Sequence, residues 1–319
     1  MAIDEADKTK DAAGDQPLLI VNHLKQYFPI PGRRVVKAID DISFDIMPGE
    51  TVGLVGESGS GKSTTGRAVI KLDEITSGQI VFDGHDISGK MSREEEGYLR
   101  RNMSMVFQDS GASLNPYRKV IDTIATGLDA HLPNLDKHER EQRVYQMMDR
   151  VGLSRSQANR YPSQFSGGQR QRVCLARALI MNPKLVIADE AISALDVSIQ
   201  AQVVNLLKDI QEEMGTAYLF IAHDLSMVRY ISSRICVMHL GHIVEKGRTD
   251  EIFANPVHPY TKSLISAIPQ FNPETERDRV PITYDVHKAG IDYTKGSYHN
   301  VSGQHYVLAT DQEFAAWTK

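Results

Sequence analysis

The stretch Gly56-Glu57-Ser58-Gly59-Ser60-Gly61-Lys62-Ser63-Thr64 decides the fold of this chain. An apolar run before it, Thr51 to Val55, predicts a buried strand, and Thr65 to Leu72 after it can form a helix. A glycine-rich loop in that setting, ending in Lys and Ser, is typical of a phosphate cradle, in which backbone N–H groups point at one anion. Lys62 can then reach the β- and γ-phosphates of a nucleotide, and Ser63 can bind Mg²⁺. A flexible loop without a ligand would not need this pair of residues.

The composition of the 319 residues is that of a globular protein, with 41% hydrophobic and 24% charged residues. The net charge of −5 argues against a nucleic-acid-binding protein, which usually carries a basic excess. Met1 to Gln16 is polar and predicts a disordered N-terminus rather than a signal peptide. Cys174 and Cys236 lie in apolar segments, which predicts buried thiols in a reducing compartment. No run of about 18 apolar residues occurs, so we expect a cytosolic protein or one held to a membrane by a partner.

Four predicted strands each end in a group suited to phosphate chemistry. These groups are the phosphate loop after Val55, Gln108 after Phe107, Asp189-Glu190 after Ala188, and His223 after Ala222. Strands separated by helices predict a parallel sheet, whose ligands bind at the carboxyl ends of the strands. We therefore expect one edge of one sheet to bring these groups together.

Charge and reach indicate the role of each group. Asp189 can hold Mg²⁺ through its waters, and Glu190 can orient or deprotonate an attacking water. His223 can bond the γ-phosphate or that water, and Gln108 can bond the metal shell or the water. A single His or Gln after a strand is usually an ordinary loop residue, but four such groups beside a phosphate loop favour a catalytic site.

A second glycine-rich stretch, Ser166-Gly167-Gly168-Gln169, opens a predicted helix that runs to Met181. Arg170 and Arg172 lie in its first turns, where the helix dipole disfavours cations. Two explanations stay open: an anion docked at this helix, or two solvated arginines paired with acids on a simple helix cap.

The rest of the chain predicts strands over Leu18–Tyr27 and Val35–Ile46, and a helical insertion from about Val120 to Phe165. Ile235–Met238 and His242–Lys246 predict a closing hairpin with its turn at Leu240-Gly241. The last 65 or so residues, rich in Pro, Tyr and His, predict a distinct extension. We expect this extension to carry no phosphate-binding group and to be dispensable for ATP binding, but to be needed for assembly or coupling.

These motifs together resemble the ATP-binding-cassette (ABC) ATPases, in full and in order. Gly56 to Thr64 look like Walker A, Gln108 like the Q-loop, and Phe165 to Gln169 like the signature. Leu185 to Glu190 look like Walker B, Ser193 to Asp196 like the D-loop, and His223 like the H-loop. The resemblance implies an α/β P-loop NTPase with a mainly parallel RecA-like core sheet and an N-terminal antiparallel β subdomain. It implies residues 1–16 as a disordered N-terminus, 17–254 as the ATPase domain with a helical subdomain at about 112–165, and 255–319 as the extension.

The resemblance also implies a head-to-tail dimer, in which each ATP lies between the Walker A of one subunit and the signature of the other. ATP-contacting residues would then include Ser166 to Gln169 and Asp196, and Tyr27 occupies the position where the family stacks an aromatic ring on adenine. Phe28 beside Tyr27 is the alternative for that role. Phe165 and Ala191 replace commoner Leu and Pro, but neither change removes a catalytic group, so active hydrolysis is expected.

Residues 194–203 and 255–261 resemble the oligopeptide/dipeptide importer ATPases of bacteria, and most of all the F-type subunit of an oligopeptide permease. That resemblance implies as partners a sibling ATPase, two membrane permeases and, indirectly, an extracellular peptide-binding protein, with the chain peripheral on the cytoplasmic face of the membrane. Import of nickel or another small solute stays open. A DNA-clamp ATPase would insert long coiled coils before Asp189, which are absent, and a non-catalytic ATP binder would not need Glu190 and His223. With no cysteine after Cys236, and with His287, His299 and His305 lacking ligand spacing, the extension predicts neither an iron–sulfur cluster nor a metal site.

Overall fold

The computed structural model describes residues 16–32, 34–193, 195–268 and 282–319, so most of the predicted disordered N-terminus lies outside the described residues. The described residues form two sheets. The larger sheet has eight strands, which in spatial order are β11 (Ser297–Ser302), β12 (His305–Ala309), β10 (His242–Arg248), β9 (Arg234–His239), β3 (Thr51–Val55), β8 (Ala217–Ala222), β7 (Leu185–Asp189) and β6 (Met103–Val106). The smaller sheet has four strands, which are β2 (Arg34–Ile46), β1 (Leu19–Ile30), β4 (Ser77–Phe82) and β5 (His85–Asp86).

Five neighbouring strands of the larger sheet, β9, β3, β8, β7 and β6, are parallel, as predicted. Their register pairs Val55 with Ala222 and Val106 with Ala188, so the carboxyl ends of these strands meet at one edge. Because side chains alternate between the two faces of a strand, Leu185 and Ile187 join one hydrophobic cluster while Val186 and Ala188 join the other. Both faces are therefore covered, which explains why these strands read as continuous apolar runs.

The smaller sheet is antiparallel throughout and confirms the predicted N-terminal β subdomain strands. Its apolar side chains, including Leu19 on β1 and Phe82 on β4, share one cluster with Leu54 of the central strand. The two sheets therefore pack together through a single core on that side.

Helices cover the faces of the larger sheet and fill the insertion. They are α1 (Lys62–Val69), α2 (Arg93–Asn102), α3 (Ser110–Ser113), α4 (Val120–Ile124), α5 (Thr126–His131), α6 (Lys137–Arg150), α7 (Gly167–Leu179), α8 (Val197–Met214), α9 (Leu225–Ile231), α10 (Thr249–Ala254), α11 (Pro259–Ser266), α12 (Val286–Ala289) and α13 (Asp311–Trp317). Four of them, α3 to α6, lie between β6 and α7, where the sequence predicts a helical insertion. Ser166 and Gln169 form a capping box at the start of α7, and Gly215 in the left-handed conformation ends α8.

The C-terminal extension joins the core sheet instead of lying apart from it. The predicted hairpin of β9 and β10 is confirmed, and β10 then pairs along its other edge with β12 of the extension. Strands β11 and β12 form a further hairpin. These strands are short, and the sequence alone did not indicate that β12 would cover the free edge of β10. Residues on both sides of the predicted boundary at 255 thus share one sheet.

Candidate active site

The phosphate loop borders an open cavity of about 930 Å³ at the edge where the parallel strands end. Gln108, Glu190 and His223 line the same cavity, so the structure brings together groups from four strand ends, as the sequence predicted. The remaining wall consists of residues from β2, the β9–β10 turn and the extension, namely Val36, Lys37, Ala38, Leu240 and Leu264. A cavity of this size can hold a nucleotide.

Two glycines of the phosphate loop are required by close backbone contacts. Gly61 has φ +107°, and a Cβ there would lie 2.2 Å from the carbonyl oxygen of Ala38. Gly56 has φ +152°, and a Cβ there would lie 2.1 Å from the carbonyl oxygen of Met238. No side chain fits at these distances, so the loop can take this curved path only with glycine at both positions.

Lys62 lies inside the curve of the loop and is only 4% exposed. Its ammonium group donates hydrogen bonds to the carbonyl oxygens of Gly56 and Glu57, both at 2.8 Å. Burial lowers the pKa of Lys62, and the carboxylates of Glu190 and Asp189 oppose that shift. The loop therefore holds a positive charge at the position where an anionic ligand would bind.

Ser63 and Asp189 are in direct contact beside this lysine. The Ser63 hydroxyl donates a hydrogen bond of 2.8 Å to Asp189 Oδ1. Burial raises the pKa of Asp189, while the Ser63 hydrogen bond lowers it. A hydroxyl and a buried carboxylate are oxygen donors of the kind that Mg²⁺ prefers, so these residues fit a magnesium ion. Gln108 lines a neighbouring cavity with both of them.

Glu190 lines the cavity and makes three contacts with the ends of two neighbouring strands. Gln108 Nε2 donates a hydrogen bond of 2.6 Å to Glu190 Oε2, and His223 Nδ1 lies 3.7 Å from the same oxygen. The backbone N–H of Glu190 donates to the carbonyl oxygen of Ile221 at 2.9 Å. Glu190 has φ +45°, a conformation that is uncommon for a residue with a side chain. Such strain often marks functional positions, and the Glu190 side chain lines the cavity.

Several predicted ATP-contacting residues do not line this cavity in the described part of the chain. Ser166, Gly167, Gly168, Gln169 and Asp196 are absent from its walls, and Ser166 and Asp196 are exposed.

Tyr27 is also outside the cavity walls, and its hydroxyl donates to Asp40, with the Lys37 ammonium 5.3 Å from the ring centre. Lys37 itself lines the cavity. The stacking role of Tyr27, with Phe28 as its alternative, stays a prediction.

Among the described residues, the arginines of α7 have partners other than the acids that one explanation predicted, and an anion docked at this helix stays a prediction. Arg170 donates to the carbonyl oxygen of Phe165 at 2.6 Å. Arg172 donates to the carbonyl oxygen of Val151 at 2.7 Å and to Gln202 at 3.1 Å. Because carbonyl oxygens of the chain itself receive these guanidinium groups, the arginines do not require an anion at the start of α7.

The extension reaches the phosphate loop, although the expectation that it carries no phosphate-binding group stays a prediction. The backbone N–H of Glu57 donates a hydrogen bond of 2.8 Å to the hydroxyl of Tyr260 on α11, and Leu264 of the same helix lines the cavity. The His-Pro-Tyr run at 258–260 is a helix-start signal, with Pro at the first helical position. That signal predicts a helix but does not indicate where the helix docks.

Two family models match separate parts of the chain. The family model described as ABC transporter matches residues 39–193, and the one described as oligopeptide/dipeptide transporter, C-terminal region, matches residues 244–291. The oligopeptide transport ATP-binding protein OppF of Bacillus subtilis (strain 168) is 55% identical over 305 residues, which are 95% of this chain and 99% of that protein. The chain belongs to the ABC transporter ATP-binding subunits. Within them, the dipeptide transport ATP-binding protein DppF of Lactococcus lactis subsp. cremoris (strain MG1363) is 51% identical over 285 residues, 89% of this chain and 91% of that protein.

Solved structures of ABC cassettes share the fold of this ABC ATPase. A dimeric post-hydrolysis state of the ATP-binding cassette MJ0796 bound to ADP and Pi aligns with a TM-score of 0.67 at 28% identity, over 72% of this chain and 98% of that one. CbiO1 from Clostridium perfringens, part of the ABC transporter complex cbiONQ, aligns with a TM-score of 0.66 over 75% and 92%. The predicted fold class and the resemblance to the oligopeptide/dipeptide family are confirmed, and the chain is an ATP-binding, ATP-hydrolysing subunit. Within the described ranges, no helix is both long and apolar enough to cross a membrane.

Proposed function

We propose that this ATPase powers the uptake of oligopeptides or dipeptides across a cell membrane, from the cytoplasmic face, through membrane subunits to which it binds. The names of OppF and DppF support a peptide as the transported solute. The match of residues 244–291 to the C-terminal region of oligopeptide/dipeptide transporters supports it independently of the ATPase motifs. Nickel or another small solute is the alternative outcome of the test below.

The proposed chemistry assigns each strand-end group a separate task. The ammonium of Lys62 and the N–H groups of residues 56–64 bind the phosphates of ATP, since phosphate oxygens are stronger acceptors than the carbonyls that Lys62 now contacts. Ser63, Asp189 and Gln108 would hold Mg²⁺, which neutralises phosphate charge when bound. Glu190 orients the attacking water and accepts its proton, while Gln108 and His223 position the Glu190 carboxylate and the water.

We also propose that the complete site needs a second ATPase subunit. The start of α7, Ser166 to Gln169, would contact ATP bound to the Walker A of a sibling subunit, and Asp196 would lie near that interface. Support comes from the position of these residues outside the cavity of their own chain. Further support comes from the dimeric form of the MJ0796 cassette. The remaining proposed partners are two membrane permeases and, indirectly, an extracellular peptide-binding protein. The division into residues 17–254 and 255–319 is likewise proposed.

The convergence of Lys62, Asp189, Glu190 and His223 at one sheet edge carries the proposal for the site. Its test is uptake of a labelled tripeptide, with labelled Ni²⁺ in parallel, by cells that lack the endogenous gene and express each variant. Lys62→Ala should abolish peptide uptake, because it removes the charge that opposes the β- and γ-phosphates.

The matched control is Lys288→Ala, which removes an ammonium whose side chain is 86% exposed on the extension. It should leave uptake at the wild-type rate. Peptide uptake by Lys62→Ala at the wild-type rate would contradict the assignment of the site. If cells that express the wild-type protein take up Ni²⁺ but not the peptide, the proposed solute is wrong.

A further inference from the structure

The C-terminal extension contacts the ATP site at one defined atom pair. The hydroxyl of Tyr260, a residue that is 1% exposed, accepts the backbone N–H of Glu57 at 2.8 Å. The two residues are 203 positions apart in the chain. A buried tyrosine hydroxyl needs a hydrogen-bond partner, and here that partner belongs to the phosphate loop.

The hydrogen bond from Glu57 to Tyr260 fixes the orientation of the 56–57 peptide group, whose carbonyl oxygen accepts from Lys62. Lys62 Nζ donates to the carbonyl oxygens of Gly56 and Glu57, one on each side of the N–H that Tyr260 receives. From the opposite side, Gly241 in the β9–β10 turn donates its N–H to the carbonyl oxygen of Ser60 at 3.0 Å. The loop is thus held between the β9–β10 turn and the extension, and rotation of the 56–57 peptide would displace the lysine.

Tyr260 is in turn held in place by buried groups of the core sheet. Its ring packs on the ring of His239 with centroids 4.2 Å apart. Its own N–H donates to Nδ1 of His258, which caps the start of α11.

The chain segment just before α11 is fixed by Glu245 on β10, which is fully buried. The carboxylate of Glu245 accepts the backbone N–H groups of Val257 at 2.8 Å and His258 at 3.0 Å. It also lies 2.6 Å from Nε2 of His305 on β12. One carboxylate therefore ties together the core sheet, the start of α11 and the terminal hairpin, so that docking of the extension determines where the Tyr260 hydroxyl lies.

We infer that Tyr260 is a positioning residue for the phosphate loop, and that the extension thereby sets the affinity of this subunit for ATP. The inference rests on the proposed role of the phosphate loop in ATP binding. Tyr260 acts through the Glu57 peptide and Lys62 and contacts no reacting atom, so it should affect the binding of ATP rather than the cleavage step. A tyrosine that only filled the core would affect thermal stability and leave ATP affinity unchanged.

The test compares full-length Tyr260→Phe with wild type for the KM and kcat of ATP hydrolysis in the purified transporter complex. The KM for ATP should rise about tenfold, the factor that corresponds to one lost buried hydrogen bond, while kcat at saturating ATP stays within about twofold. Tyr284→Phe is the matched control, because its hydroxyl lies in the same aromatic cluster, 3.4 Å from that of Tyr293, and its ring centroid is 5.5 Å from that of Tyr260. It should leave the KM unchanged.

Three outcomes overturn the inference. They are an unchanged KM in Tyr260→Phe, an equal rise in KM in Tyr284→Phe, and a fall in kcat without a rise in KM. ATP binding by Lys62→Ala, measured directly on the same complex, distinguishes failure of the proposed site from failure of the inference. If Lys62→Ala binds ATP normally, the proposed site is wrong, whereas loss of binding in Lys62→Ala with a normal KM in Tyr260→Phe rejects only the inference.

A second measurement does not depend on the folding of a variant. In the nucleotide-free wild-type protein, the amide hydrogen of Glu57 should exchange with solvent at least about tenfold more slowly than in an unstructured peptide, because it is donated to a buried hydroxyl. Exchange of this amide at the unstructured rate would overturn the inference.

Discussion

Glu190→Gln is the sharpest test of the proposed catalytic chemistry, because it changes one proton acceptor and almost nothing else. The amide has the shape of the carboxylate and keeps an oxygen that can accept the Gln108 hydrogen bond, now 2.6 Å long. The backbone contact to Ile221 and the φ of +45° belong to the main chain and are unaffected by the substitution. We therefore expect the site to keep its geometry while losing its base.

The magnitude follows from the contacts of this side chain. Loss of charge in one hydrogen bond at a partly exposed position should lower the free energy of unfolding by about 1 kcal/mol or less. Loss of a general base costs about 10²- to 10⁴-fold in rate. At about 1.36 kcal/mol per factor of ten, that is about 2.7 to 5.4 kcal/mol in the activation free energy. The effect on catalysis thus exceeds the effect on stability by a wide margin.

The assay measures the release of phosphate by the purified transporter at saturating MgATP, together with ATP affinity and the thermal midpoint. We expect kcat to fall at least about 100-fold with ATP affinity retained. Glu213→Gln is the control, since it removes an exposed carboxylate on α8 that pairs with Arg150 on α6. A kcat above about one tenth of the wild-type value would show that Glu190 is not the base and would move that role to His223 or a water.

Two further predictions concern the start of α7 and the buried histidines. A Cβ at Gly167 meets no atom within 4 Å, whereas one at Gly168 would lie 2.9 Å from Ile199, so Gly167→Asp is the cleaner charge probe. Gly167→Asp should block ATP hydrolysis and peptide uptake by the complex, because its carboxylate repels the γ-phosphate held by the other subunit. The ATP affinity of the isolated subunit should stay within about twofold of wild type, and the uncharged Gly167→Asn should have a milder effect on the complex. Loss of ATP binding by the isolated variant would reject the two-subunit site. Burial lowers the pKa of His258 to about 3 and that of His239 to about 4, from an ordinary 6.5. Between these values and pH 6.5 both gain protons only on unfolding, so their contribution to the free energy of unfolding should be constant well above pH 6.5 and fall below it, by up to about 1.4 kcal/mol per pH unit for each histidine. Denaturant unfolding between pH 7.5 and about pH 5 should show a shallower fall for His258→Gln than for wild type, and equal slopes would contradict this account.

Local sequence patterns were sufficient to predict that the phosphate loop, Gln108, Glu190 and His223 lie at one edge of the sheet. Gly56 to Thr64 combine the glycines that a tightly curved loop requires with the lysine and serine typical of a loop that binds phosphate. Gln108, Glu190 and His223 follow strands that the apolar runs already indicated. Because parallel strands end at a common edge, their convergence follows from the order of the elements without coordinates.

The contacts that only the tertiary structure decided join parts of the chain that no local pattern links. Tyr260 meets Glu57 across 203 residues, and β12 covers the edge of β10. The arginines of α7 donate to the carbonyl oxygens of Phe165 and Val151 rather than pairing with acids.

The sequence by itself determined the phosphate loop, the order of the strands along the chain and the identity of the groups at their ends. Each of these depends on neighbours a few residues away, through backbone conformation and the alternation of apolar side chains. The tertiary structure decided that the extension contacts the phosphate loop. A hydroxyl such as that of Tyr260 can accept from any N–H that packing brings within 3 Å. Which one it meets depends on how helices and strands far apart in the chain pack together.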